Sequence, residues 1–213
     1  MPTDEQFAAI VKDIRAQRFN AEHDDSADFV EFLGLAGLGQ AEASALRVED
    51  IDWQQNRFAI RRRKTKALFY VPVYPDLKPF LKRVIDKLGP DAPREAKVFK
   101  IQDAKKALAA ACKRLKFPNF SQRSIRAYLI GRLWKAGVDI KLIAQWQGHT
   151  DGGKLILNTY TEVFGANDNS YVESQLAKLT QSKARRETNI TVAGPYSTKS
   201  GGEVIRPAPE DKK

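Results

Sequence analysis

Cysteine, histidine and methionine are scarce: this chain of 213 residues holds one cysteine, Cys112, two histidines, His23 and His149, and one methionine. A lone thiol closes no internal disulfide and supplies no cysteine-rich metal site, which excludes disulfide scaffolds and zinc fingers and fits a reducing compartment. Two histidines so far apart argue against chemistry built on a histidine pair. Also missing are a Gly-rich phosphate loop, an internal repeat, and any apolar run long enough to span a bilayer. The start, Met1 to Glu5, lacks the basic and apolar stretches of a secretory signal. These absences together predict a cytoplasmic protein that uses no metal, nucleotide or other cofactor.

Positive charge is abundant. Lysine and arginine number 36 against 26 acidic residues, a net charge of +10, and hydrophobic residues make up 42% of the chain. That composition builds a folded domain whose partner is a polyanion, with double-stranded DNA ahead of an anionic membrane. Charge alone also suits a basic helical protein that binds RNA or another protein.

Apolar spacing predicts a mainly α fold with a small antiparallel β-hairpin or sheet. Thr3 and Gln6 form a capping box before Phe7, Ile10, Val11 and Ile14, a first helix ending near Arg18. Ser26 or Asp25 caps a second, densely apolar helix that ends at Gly37, and a short helix follows over 40–47. Segments 57–62 and 68–73 read as a hairpin around Lys64, held to a sheet edge by Pro72 and Pro75. Helical periodicity returns from Leu77 to Leu88, Ala104 to Leu115, Ser121 to Ala136, Asp139 to Gln147 and Lys154 to Asn158, with a last helix over 169–181. Residues 1–183 therefore read as one domain and 184–213 as a flexible tail. The tail holds six basic and four acidic residues, so most of the positive charge belongs to the domain.

Three segments, taken in order, carry a resemblance to a known family. Ala36-Gly37-Leu38-Gly39-Gln40-Ala41-Glu42, running on to Asp50-Ile51-Asp52, is similar to Gly-x-Arg-x-x-Glu followed by Asp-Ile-Asp. Lys64 lies before Val71-Pro72 at the distance of a hairpin lysine before Val-Pro-Leu. Arg123-Ser124-Ile125-Arg126 resembles His-x-Leu-Arg, Gln147-Gly148-His149 resembles Leu-Gly-His, and Thr159-Tyr160-Thr161-Glu162-Val163 resembles Tyr-Thr-His-Val. The whole resembles the catalytic domain of the tyrosine recombinases, the phage integrase family, over residues 3 to 179. Two positions depart from the pattern. Gly39 stands where the family has its first arginine, and Arg123 stands where a histidine is usual.

The resemblance implies DNA strand cleavage and rejoining through a 3′-phosphotyrosyl intermediate, with Tyr160 as nucleophile. Arg126, His149 and Arg123 would gather about the phosphate, Glu42 would support them, and Lys64 would act as general acid. Arg61, Arg62, Arg63 and Lys66 are read as binding the DNA backbone. The implied role is DNA integration or recombination at reduced activity. The alternative is an impaired integrase remnant that only binds DNA. No separate N-terminal DNA-clamping domain is expected, and the segment after Tyr160 would dock on a second copy of the chain on DNA. The protein would then be nucleoid-associated when bound.

Overall fold

The computed structural model describes residues 1–62 and 66–160, together with Glu173, Leu176 and Ala177. The chain divides into two units, Met1–Ala166 and Asn167–Lys213, and every element named here belongs to the first. Of the expected helix over 169–181 only Glu173, Leu176 and Ala177 are described, and the tail boundary at residue 184 lies outside the described residues.

Helix α1 (Asp4–Arg15) starts at the Thr3 capping box and buries Phe7, Ile10, Val11 and Ile14. It lies against α2 (His23–Ala36) and α5 (Lys105–Arg114). Helix α2 is buried on most sides, as is α6 (Gln122–Lys135), which packs against it. The two form the spine of the domain. Gly34 on α2 lets the Phe7 ring approach: a Cβ there would clash with the ring, which in turn packs tilted on Tyr128 of α6 with centroids 4.5 Å apart.

Helix α2 begins three residues before Ser26, and this corrects the expected cap. Ser26 and Asp28 are buried within the helix. Asp28 explains the burial of a polar side: its carboxylate accepts hydrogen bonds from Arg15 (2.8 Å), Arg83 (2.8 Å) and Lys87 (2.6 Å), joining α1, α2 and α4 (Leu77–Asp86). The short helix α3 spans only Gln40–Ala43, because Arg47 is drawn into a β-bridge with Lys97.

The expected hairpin is part of a three-stranded antiparallel sheet in the order β1 (Ile51–Asp52), β2 (Arg57–Arg61), β3 (Leu68–Pro72). Phe58 faces Val71 and Ile60 faces Phe69 on its buried side. Pro72 lies in the edge strand, where its missing N–H breaks no ladder. Helix α7 (Ile140–Trp146) packs on β3 and is capped by Asp139. Helix α8 (Lys154–Tyr160) joins α7 and α6 through Ile156, Ile143, Ala144 and Ile130. Among the described residues no helix is long and apolar enough to cross a membrane.

Candidate active site

Four elements bring the motif residues together: the N-terminus of α3, the end of β2, the middle of α6 and the turn after α7. Gly39 is the N-cap of α3, in extended backbone at φ −75°. With no side chain of its own to cap the helix, Gly39 offers its N–H to Glu42 Oε2 at 2.9 Å. The other oxygen of Glu42 accepts from Arg62 Nε at 3.1 Å, and Arg126 Nη1 stands 4.0 Å from Oε2. One carboxylate, 11% exposed, thus holds two guanidinium groups.

The second anchor is the end of α7. The carbonyl oxygen of Gln147 accepts from Arg62 Nη2 at 2.7 Å and from Arg126 Nη2 at 3.3 Å. The last carbonyls of a helix have no partner within it and carry its partial negative charge, so two cations are well placed there. The Gln147 side chain, wholly buried, accepts from Arg126 Nε at 3.0 Å through Oε1. Gly148 then turns the chain at φ +66°, and a Cβ there would lie 2.7 Å from the Phe69 ring. This sharp turn sets His149 beside Arg126, with Nε2 3.4 Å from Nη2.

The arginine can only donate, so His149 Nε2 is the acceptor and the ring proton belongs on Nδ1, which is buried with no partner among the described residues. Burial, then the charge of Arg126, pushes the imidazole below its ordinary value; Asp151 opposes and Arg62 adds to the depression. His149 is therefore neutral at pH 7.

Arg126 and His149 border a cavity of about 480 Å³ that Gly39, Ser121, Arg123 and Leu155 also line. Arg123 lies one turn before Arg126 on α6 and is exposed. Leu155 brings α8 to the cavity rim, and the backbone of Tyr160 ends that helix one turn beyond the buried Ile156. Arg61, the last residue of β2, is exposed, as is Lys66, which holds a left-handed φ of 56° in the hairpin loop. Arg63 and Lys64 lie outside the described residues.

Arg62 is the residue the sequence reading misplaced in kind. Set among Arg61, Arg63 and Lys64, it reads as one more exposed cation. Strand parity was the available signal: Phe58 and Ile60 point into the core, and Arg62 continues that face. Gln147 was also missed, since only its place before Gly-His drew notice.

A profile of the phage integrase family matches residues 3–166. Among solved structures, the Tn1549 transposon integrase in complex with circular intermediate DNA superposes with a TM-score of 0.63 at 16% identity, covering 84% of this chain and 66% of that one. The catalytic domain of bacteriophage HP1 integrase gives a TM-score of 0.57 at 16% identity, covering 81% and 93%. The XerH site-specific recombinase bound to its difH substrate gives 0.56 at 13%, covering 78% and 52%. At these identities the likeness is one of fold, and this chain spans between half and two thirds of the solved XerH and Tn1549 chains. No curated protein sequence matches it. The family profile covers most of the chain, and the elements it spans place Arg126 and His149 on one cavity with Glu42 paired to Arg126: the chain belongs to the phage integrase family.

Proposed function

We propose that this chain cleaves and rejoins DNA in site-specific recombination or integration, with Tyr160 as the nucleophile. The observation that carries this reading is that Arg126 and His149 line one open cavity, with Glu42 4.0 Å from Arg126 and α8 running from the cavity rim to Tyr160. The Tyr160 oxygen attacks the phosphorus of a phosphodiester as its proton passes to solvent water. A 3′-phosphotyrosyl bond forms, the bond to the 5′-oxygen breaks, and that oxygen takes a proton from Lys64. Rejoining is the same sequence reversed, with a 5′-hydroxyl attacking and tyrosine leaving. Bond energy is conserved, so the reaction needs no nucleotide.

Each side chain has a defined task. Arg126 offers a fork to two phosphate oxygens as charge gathers on the phosphorane. Neutral His149 orients Arg126 and the phosphate. Arg123 adds positive charge at the rim but cannot accept a proton. Arg61, Arg63 and Lys66 hold the DNA backbone, and the segment after Tyr160 docks on a second copy on DNA. The domain runs to residue 183.

A second reading, a DNA-binding remnant without cleavage, draws on Gly39 and Arg123. Removing one preorganised phosphate donor costs roughly 10²- to 10³-fold in rate. The two readings separate on nicked duplexes of randomised sequence, in which the cleaved end diffuses away. Cleavage traps a covalent protein–DNA adduct that disappears in Tyr160→Phe with DNA affinity retained. Binding without adduct establishes the remnant.

A further inference from the structure

We propose that Arg62 is the second phosphate-binding guanidinium of this site, delivered from the end of β2 in place of the side chain that Gly39 lacks. The proposal rests on reading the cavity as a phosphodiester site. It adds a residue from a different element.

Three observations converge. First, Arg62 and Arg126 share both of their anchors: each is paired with Glu42, and each donates to the carbonyl oxygen of Gln147. Two guanidinium groups fixed to the same pair of acceptors are held side by side, as a tetrahedral oxyanion requires. Secondly, position 39 faces the same carboxylate that Arg62 binds through its other oxygen. A Cβ at Gly39 would lie 3.1 Å from Glu42 Oε2 and 3.8 Å from Arg126 Nη1, so a long cation there would compete for the carboxylate that Arg62 now occupies. Thirdly, Arg62 is held yet not used up. Its Nε and Nη2 are engaged, its Nη1 has no acceptor among the described residues, and the side chain is 26% exposed. The Phe69 ring, 5.5 Å from the guanidinium carbon, supports its flank.

A charge assembled this way is preorganised. Glu42 and the α7 terminus supply the negative potential that lets two guanidinium groups stand close without a ligand, and neutral His149 adds no third charge. An entering phosphate then meets donors that need not be gathered from solvent.

The test uses orthovanadate, a tetrahedral oxyanion that also adopts five-coordinate geometry, titrated into the full chain and followed by vanadium NMR. The wild type binds. Arg62→Met, which keeps the packing on Phe69, weakens binding roughly tenfold or more, and Arg62→Lys falls between them. Lys82→Ala, at an exposed cation on α4, leaves binding unchanged. Gly39→Arg, which an extended φ permits, changes little in the wild type but restores binding to Arg62→Met without restoring any loss in its melting temperature. That rescue separates phosphate binding from a structural role. If Arg126→Ala abolishes binding while Arg62→Met does not weaken it, the proposal is overturned and the cavity remains a phosphate site. If neither variant weakens binding, or the wild type binds no vanadate, the reading of the cavity falls with the proposal.

Discussion

Asp28 shows how much a single residue contributes to this domain. Burial alone would raise its carboxyl, but hydrogen bonds from Lys87, Arg83 and Arg15 outweigh that and hold it below its ordinary value. The sign follows: an acid depressed in the folded state adds stability at neutral pH, and that stability is lost as pH falls through the folded value. Asp28→Asn should destabilise the protein by about 2 kcal/mol at pH 7, since the carboxylate is buried but Arg83 and Lys87 are more than a third exposed. Urea melts at pH 7 and near pH 3 check this, and the gap between variant and wild type should narrow in acid. His149 is a depressed base, so it too costs stability as pH falls below the ordinary imidazole value. Nothing in the sequence marked Asp28, because two of its three cationic partners, Arg83 and Lys87, lie more than fifty residues away.

At the scale of elements, the turn after α7 controls the site. Gly148 adopts a left-handed φ against the Phe69 ring, so Gly148→Ala adds both backbone strain and a clash. A loss of about 2–4 kcal/mol is expected in thermal or urea melts. Vanadate binding should weaken too, because the Gln147 carbonyl that anchors Arg62 and Arg126 would shift. The helices were legible because their apolar residues repeat along single faces, and the hairpin because aromatic and β-branched residues flank a basic loop. Strand β1 was not: two residues, Ile51 and Asp52, carry no period of their own and pair only because β2 is present. The site was legible where order along the chain sufficed, at Glu42, Arg126 and His149. It was not where geometry decides, since only strand register turns Arg62 inward while Arg61 points out. Gly39 holds extended backbone at φ −75°, so position 39 accepts a side chain without backbone strain.

For the whole molecule, a net charge of +10 and an exposed basic hairpin imply DNA affinity that falls steeply with salt. Arg61→Ala and Lys66→Ala should each lessen the slope of log affinity against log salt by about 0.9 and weaken all sequences alike, as read by fluorescence anisotropy. Cleavage is the larger claim, and its chemistry narrows the candidates among the tyrosines. Tyr128 is buried with its phenol pushed up to about 12, and the buried Tyr74 hydroxyl is raised further, so burial disfavours both as the attacking tyrosine. Tyr70 is exposed but lies on β3 with Arg57 over its ring, in a groove that His149 also borders but Arg126 does not. Peptide mapping by mass spectrometry of the adduct trapped on nicked DNA is therefore the most direct measurement. The account predicts a nucleotide remnant on Tyr160 and none in Tyr160→Phe. A remnant on Tyr70, Tyr171 or Tyr196, or DNA binding with no adduct on any tyrosine, would contradict it.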